Sequence, residues 1–317
     1  MKKIIIVLIC LSMLCLCSCN KESSKSDKPV IVCSIFPQYD FVRNIVGDRC
    51  EVILLQKNGN DMHSFEPTPK DILDISRAYM LIVADSQAES WVENLLEAVD
   101  NQKLELVQMK DFCHLLENET PESIRDDHSH GHSHSHEDGE SCNHGYDEHM
   151  WTSIENAIHT VEGIGGMLCE KYPESSEYFE KNISEYISSL SALGDEYEKL
   201  DVEGKRFIVA DRFPFLYLAN ELGLDYVAAF PGCSDQTHSS FETLTYIIGE
   251  VNESGVDCIF TTEDENTHIA GQVADSTGAK IYKLYSCQSI TKEQLESGES
   301  YISLMRKNLE TLKEAYS

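Results

Sequence analysis

Two series of short apolar runs, each alternating with helical patterns, constrain the fold of this 317-residue chain more than any other feature. The runs of the first series lie at residues 30–35, 52–55, 79–84 and 104–107, and those of the second at 207–210, 226–229, 258–261 and 281–285. Parallel strands need a crossover connection, which is usually a helix. The alternation therefore predicts an α/β fold with two four-stranded parallel sheets.

A long helical pattern at residues 178–200 separates the two series. Its apolar residues are spaced for one stripe along a helix, namely Ile183, Ile187, Leu190 and Leu193. A helix of this length would bridge two lobes. The predicted organisation is a first lobe at residues 29–174, a linking helix at 175–203 and a second lobe at 204–317.

The first 19 residues have the form of an export signal. Two lysines precede an apolar run that is too short to span a bilayer as a stable helix. The run ends in Leu16-Cys17-Ser18-Cys19, which resembles a bacterial lipobox, so Cys19 is the predicted lipidated residue and Cys17 the alternative. Residues 20–28 would then form a polar tether. The mature chain is expected outside the cytoplasm, anchored to the cell membrane by lipid.

The charge of the chain argues against a nucleic acid partner, because the formal net charge is −30. An exported chain can form disulfides, and eight cysteines follow the signal. Cys233 and Cys287 each follow a predicted strand of the second lobe, so they are the candidate disulfide pair, with two unpaired loop thiols as the alternative. Cys258 lies within an apolar run and is expected to be buried.

A histidine tract occupies residues 126–146, and it indicates metal binding. Every second residue of its centre is histidine, interleaved with serine and glycine that keep the backbone mobile. Alternating histidines have no use in packing, although the tract could be only a solvated linker. Its auxiliary metal ligands would be His128, His130, His132, His134, His136 and His144.

Two further histidines stand in more ordered surroundings. His149 is followed by Met150 and Trp151 and precedes a helix for which Thr152 and Glu155 form a predicted capping box. His63 lies on a loop between a strand and a helix. In open α/β sheets ligands bind outside the carboxyl ends of the strands, which is where His63 falls. The simpler interpretations are a packed turn residue for His149 and an exposed loop residue for His63.

Two acidic residues follow strands of the second lobe. Asp211 lies just past the run at 207–210, and Glu263 just past the run at 258–261. Asp211 could instead pair with Arg212, and Glu263 could be a charge at the start of a helix.

Taken together, these motifs resemble the solute-binding lipoproteins of bacterial zinc or manganese ABC importers. The motifs are HSFEPTP at residues 63–69, the histidine-rich loop, YDEHMWTS at 146–153, VADRFPFLYLANELGL at 209–224, AAFPGCS at 228–234 and IFTTE at 259–263. The resemblance covers the chain from about Val30 to its end. It implies two Rossmann-like lobes joined by one rigid helix, the cluster A-I type of periplasmic-binding fold, with a single metal ion in the cleft.

The resemblance also implies the ligands of that ion. His63 and His149 match the two family histidines of the first lobe, and Glu263 matches the acidic ligand of the second. The third family ligand is often a histidine, whereas this chain has Asp211 there, with His238 and His268 as alternatives. The proline that usually follows the H-x-W-x-S segment is replaced by Ile154.

The predicted function is capture of Zn²⁺ and its delivery to an importer permease and its ATPase. Carboxylates suit manganese, but imidazoles and the histidine tract favour zinc. A zinc hydrolase is the second hypothesis, but the sequence contains neither H-E-x-x-H nor G-x-S-x-G, so we expect no enzyme. A passive metal buffer or an adhesin, which would need only the tract, is the third.

Overall fold

The computed structural model describes residues 28–56, 65–86, 88–118, 145–232, 240–263 and 268–317. The first sheet consists of β1 (Val30–Cys33), β2 (Glu51–Leu54), β3 (Met80–Val83) and β4 (Glu105–Gln108), all parallel, in the order β2-β1-β3-β4. The second consists of β5 (Phe207–Phe213), β6 (Tyr226–Pro231), β7 (Cys258–Thr261) and β8 (Lys280–Lys283), in the order β6-β5-β7-β8. The predicted fold class is confirmed.

Helices connect the strands as the alternation predicts. In the first half of the chain they are α1 (Phe36–Val46), α2 (Pro69–Ser76) and α3 (Trp91–Ala98), followed by α4 (Ile154–Lys171) and α5 (Ser176–Tyr197). In the second half they are α6 (Leu216–Leu222), α7 (Phe241–Ser254), α8 (His268–Thr277), α9 (Lys292–Glu296) and α10 (Tyr301–Ala315). Among the described residues, no helix combines the length and the apolar character needed to cross a bilayer.

Each central strand contributes to two cores, because alternate side chains point to opposite faces of a sheet. Along β1, Ile31 and Cys33 join one cluster of buried side chains, whereas Val30 and Val32 join another on the opposite face. A strand covered on both faces reads as a continuous apolar run, which is why the sequence shows no alternation there. Cys258 in β7 is 2% exposed, as predicted.

The helix α5 has 22 residues, roughly 33 Å at 1.5 Å per residue, and contacts both halves of the chain. Asn182 donates a hydrogen bond to the carbonyl oxygen of Ile45 in α1. Tyr197, at the other end of α5, donates to the carbonyl oxygen of Met305 in α10. On its side facing α4, a Cβ at Gly165 would lie 2.5 Å from Cδ1 of Ile183, so any larger residue at position 165 would require the Ile183 side chain to move.

The two halves share one continuous core. The largest cluster of buried side chains includes Phe41 of α1, Trp151, Phe179 of α5, Phe207 of β5 and Tyr301 of α10. The backbone of the two halves is also joined directly, because the N–H of Phe36 donates to the carbonyl oxygen of Gln288 at 3.1 Å. Both sheets and the 3₁₀ turn Met150–Thr152 therefore contribute side chains to the same core.

Two local predictions differ from the structure. Ser153 caps α4 by accepting from the N–H of Asn156 at 2.9 Å, so the predicted capping box of Thr152 and Glu155 is wrong. Asp211 lies within β5 rather than past its end, because an irregularity in register between Val209 and Arg212 lets the strand continue to Phe213. The N-cap of α2 is Thr68, whose side chain accepts from the N–H of Asp71.

Candidate metal centre

The imidazole of His149 is held in a defined orientation by its own segment. It precedes the 3₁₀ turn Met150–Thr152, and it is 1% exposed. Oδ1 of Asp147 lies 3.2 Å from Nδ1 of the ring and also accepts the backbone N–H of His149 at 2.8 Å. A carboxylate on Nδ1 fixes the proton there, which leaves Nε2 as the nitrogen that can bind a metal. The ring also contacts Trp151 edge to face, with the centroids 5.4 Å apart.

His149 belongs to the first lobe by sequence, but it touches the second. A Cβ at Gly232, directly after β6, would lie 2.7 Å from Cε1 of the ring, so only glycine fits this close approach. Tyr217 of α6 donates its hydroxyl proton to the carbonyl oxygen of Asp147 at 2.5 Å. The residues that orient His149 are thus in contact with the second lobe on two sides.

Glu263 lies two residues past the end of β7, as predicted, and its carboxylate is oriented by Ser286. The N–H of Ser286 donates to Oε2 at 2.7 Å and the Ser286 hydroxyl to Oε1 at 2.6 Å. The carbonyl oxygen of the same Ser286 accepts from Nε1 of Trp151 at 2.8 Å. Glu263 and the His149 segment are therefore joined through Trp151 and Ser286.

Asp211 is 6% exposed, and both its oxygens accept hydrogen bonds from the protein. Oδ2 accepts from the N–H and the hydroxyl of Thr262, at 3.1 and 2.7 Å, and Oδ1 accepts from the N–H of Arg212 at 2.8 Å. Asp211 thus fixes the residue that precedes Glu263. These contacts are those of a positioning residue, and the role of Asp211 as a ligand stays a prediction.

Asp147 and Glu148 form an acidic pair beside His149 that sequence reasoning did not single out. Both are buried, at 5% and 1% exposure. Donor atoms of Asp147, Glu148 and His149 lie within 4.8 Å of one another, close enough for a metal ion. The signal was present as a carboxylate two residues before the histidine in YDEHMWTS, but which side of the ring it faces depends on the rotamer.

Several predicted site residues lie outside the described residues. They are His63, the tract histidines His128, His130, His132, His134, His136 and His144, the lipidation site Cys19, the alternative ligand His238, and Cys233 of the candidate disulfide. Cys287, the other half of that pair, is a fully buried free thiol whose pKa burial raises well above its ordinary value. The disulfide stays a prediction.

Comparison with known proteins identifies the family. The family model described as "Zinc-uptake complex component A periplasmic", ZnuA, matches residues 31–315. The chain belongs to the ZnuA family. The resemblance predicted from the ordered motifs is thereby confirmed. Members of this family are metal-binding components of transport systems rather than enzymes.

Two curated relatives show how far the family likeness extends. The zinc-binding lipoprotein AdcA of Streptococcus pneumoniae serotype 4 is 32% identical over 315 residues, which cover 99% of this chain and 61% of AdcA. The chain thus spans less than two thirds of that relative. The high-affinity zinc uptake system protein ZnuA of Bacillus subtilis is 32% identical over 298 residues, which cover 93% of this chain and 90% of the relative.

Solved structures of family members agree with the fold. The crystal structure of the Zn(II)-bound ZnuA-like domain of Streptococcus pneumoniae AdcA matches with a TM-score of 0.72 and 29% sequence identity, covering 91% of this chain and 98% of that domain. The fold of this chain is therefore that of a family member whose structure contains zinc.

Proposed function

We propose that this chain is the extracytoplasmic zinc-binding component of an uptake system. In this proposal it captures Zn²⁺ between the two lobes through His149 and Glu263, with His63 as a further predicted ligand. The supporting observation is the orientation of His149, whose ring is fixed by Asp147 and faces Gly232 of the second lobe. A buried imidazole with an oriented Nε2 at a junction between lobes suits capture of a single ion.

The proposed ligand atoms suit a divalent cation such as Zn²⁺. Imidazole nitrogen and carboxylate oxygen are both zinc ligands, at about 2.0 to 2.2 Å. Ionised carboxylates such as Glu263 would compensate the charge of the ion, and the hydrogen bonds from Ser286 would fix its direction. Asp211 enters the proposal as the predicted third ligand or as the residue that positions Glu263 through Thr262.

Delivery of the ion is proposed to occur at an ABC importer permease with its ATPase. The relatives are named a zinc-binding lipoprotein and a high-affinity zinc uptake system protein, and the lipobox at Cys19 supports the same lipid-anchored location for this chain. The proposal includes no catalysis. Manganese remains the alternative cargo, because carboxylate ligands suit it, and competition between the two ions decides this.

The test is a chelator competition titration of the purified protein. We expect His149→Ala to lower zinc affinity by orders of magnitude and Glu263→Gln to lower it by at least about tenfold, because each variant removes a ligand. The matched control is Glu253→Gln, an exposed glutamate of α7 in the same lobe, which should keep full affinity. Thermal melting of each metal-free variant separates loss of zinc binding from loss of folding.

Zinc should also raise the melting temperature of the wild-type protein by mass action and should raise that of His149→Ala much less. Full zinc affinity in both His149→Ala and Glu263→Gln would show that the cleft assignment is wrong. Tighter binding of manganese than of zinc by the wild-type protein would replace the proposed cargo.

A further inference from the structure

We propose a second zinc site on the outer surface of the first lobe, formed by His114, Glu155 and His159. Donor atoms of these three side chains lie within 4.8 Å of one another. His114 and Glu155 are exposed and His159 is half-buried, so water can reach the site. None of the three belongs to the cleft centre described above.

The backbone of His114 is fixed to α4. Its N–H donates to Oδ1 of Asn156 at 2.8 Å, and its carbonyl oxygen accepts from Nδ2 of the same side chain at 3.1 Å. Asn156 is itself 2% exposed, and its Nδ2 also lies 3.3 Å from the carbonyl oxygen of Met150. His114 is therefore anchored to the helix that carries the other two donors, although it is 45 residues from His159 in the sequence.

Glu155 and His159 lie four residues apart on α4, so they occupy the same face on successive turns. The rings of His114 and His159 meet edge to face, with the centroids 5.1 Å apart. In a tetrahedral zinc site with bonds of about 2.1 Å, ligand atoms are roughly 3.4 Å apart. Binding of an ion would therefore require side-chain rotations that bring donor atoms now within 4.8 Å of one another to this spacing.

The electrostatic surroundings suit a cation. The amino end of a helix carries partial positive charge, which would oppose a nearby metal ion. Here a carboxylate of the second lobe offsets it: Glu221 accepts from the Ser153 hydroxyl at 2.6 Å and from the backbone N–H of Glu155 at 3.0 Å. Two imidazoles and one carboxylate leave coordination positions for water, so the site should bind zinc less tightly than the cleft and exchange it faster.

The site also lies beside the base of the histidine-rich segment. Glu117 and Tyr146, which flank that segment, pair as an isolated antiparallel bridge, and the N–H of Asp147 donates to the carbonyl oxygen of Leu116 at 2.9 Å. Zinc bound by the tract would mask a surface site in any titration. The test therefore uses a background in which the six tract histidines are replaced by serine.

In that background, titration with Zn²⁺ should show two classes of bound zinc ion: a tight class, held in the cleft, and a weaker class, held at the surface site. We expect the double variant His114→Ala/His159→Ala to lose the weaker class and Glu155→Gln to weaken it by roughly tenfold or more, both without change in the tight class. The control is Glu162→Gln, an exposed glutamate on the same helix outside the cluster, which should leave both classes unchanged.

The two proposals fail separately. Persistence of the weaker class in the double variant, or its absence from the background protein, would overturn the surface site and leave the cleft proposal standing. Persistence of the tight class in His149→Ala would overturn the cleft proposal, and the surface site would stand. Anomalous scattering at the zinc edge from crystals of the background protein should place an ion between the three side chains, and an empty cluster there would also overturn the site.

Discussion

Asp147 allows the orientation of His149 to be tested separately from removal of the ring. Its carboxylate accepts from the backbone N–H of His149 and faces Nδ1. We predict that Asp147→Asn lowers zinc affinity by roughly 10- to 100-fold, the usual effect of losing a carboxylate partner of a metal-binding histidine. The chelator competition titration measures this, with the exposed Asp48→Asn as the control.

Nitrogen chemical shifts of the His149 ring add a readout that a purely structural role would not change. In the zinc-loaded wild-type protein they should show a protonated Nδ1 and a metal on Nε2. Unchanged affinity in Asp147→Asn, or a metal on Nδ1 in the wild-type protein, would contradict the assigned orientation.

At the residue scale, the sequence predicted the important histidine but not its partners. His149 stood out because aromatic and apolar neighbours on both sides indicated a packed position. The contacts of its ring with Gly232 and of its segment with Tyr217 join residues about 70 to 80 positions apart, and no local pattern encodes them. The pairing of His114 with His159 escaped sequence reasoning for the same reason.

The start of helix α4 is one of the places where the two lobes are linked. Ser153 accepts from the N–H of Asn156, and its hydroxyl donates to Glu221 of α6. We predict that Ser153→Ala lowers the free energy of unfolding by about 1 to 2 kcal/mol, because it removes a helix cap and a hydrogen bond to a carboxylate. Urea unfolding in the presence of a chelator measures the change.

The comparison for that experiment is Ser240→Ala. Ser240 caps α7 in the same way, by accepting from the N–H of Thr243 at 3.0 Å, but its partners lie within one lobe. It should cost about 1 kcal/mol. Equal costs for the two variants would mean that the contact with Glu221 adds nothing to stability.

At the element scale, the βα alternation predicted all eight strands, and the errors fall where local pattern is weak. The short helix α9 has five residues, too few for a periodic apolar stripe, although Thr291 and Gln294 do form a capping box. The extension of β5 past Ala210 depends on a register irregularity with β6, which pairing between strands decides. Thr152 and Ser153 are both good helix caps, and tertiary contacts with Glu221 favour the second.

Across the whole molecule, one buried carboxylate joins three helices. Asp40 of α1 is 0% exposed, and its Oδ2 accepts from the hydroxyl of Tyr186 in α5 at 2.7 Å and from the N–H of Tyr301 in α10 at 3.1 Å. Arg43 pairs with its Oδ1 at 2.6 Å. The helix α10 is thereby fixed to α1, so the two lobes are coupled near the middle of α5 as well as at the candidate metal centre.

The pKa of Asp40 makes this junction sensitive to pH. Burial raises the pKa above its ordinary value, while Arg43, Tyr186 and Tyr301 lower it. The native state therefore holds the Asp40 proton more tightly than the unfolded state, and the contribution of Asp40 to stability falls as pH rises through its native pKa. Burial and the Asp40 carboxylate raise the pKa of Tyr186 well above its usual value, so Tyr186 remains a donor at neutral pH.

Tyr186→Phe removes that donor and raises the pKa of Asp40 further. We predict that the variant lowers the free energy of unfolding by about 1.5 to 3 kcal/mol at about pH 7, where the carboxylate is left with one donor fewer, and by less at about pH 4, where a larger share of the carboxyl is protonated. Urea unfolding of the metal-free protein at both pH values measures the difference. Tyr178→Phe, on the same helix with a ring that is 37% exposed, is the control and should show a small cost without this pH dependence. The same cost for Tyr186→Phe at both pH values would mean that Asp40 does not change its protonation in this range and that the junction of the three helices is insensitive to pH.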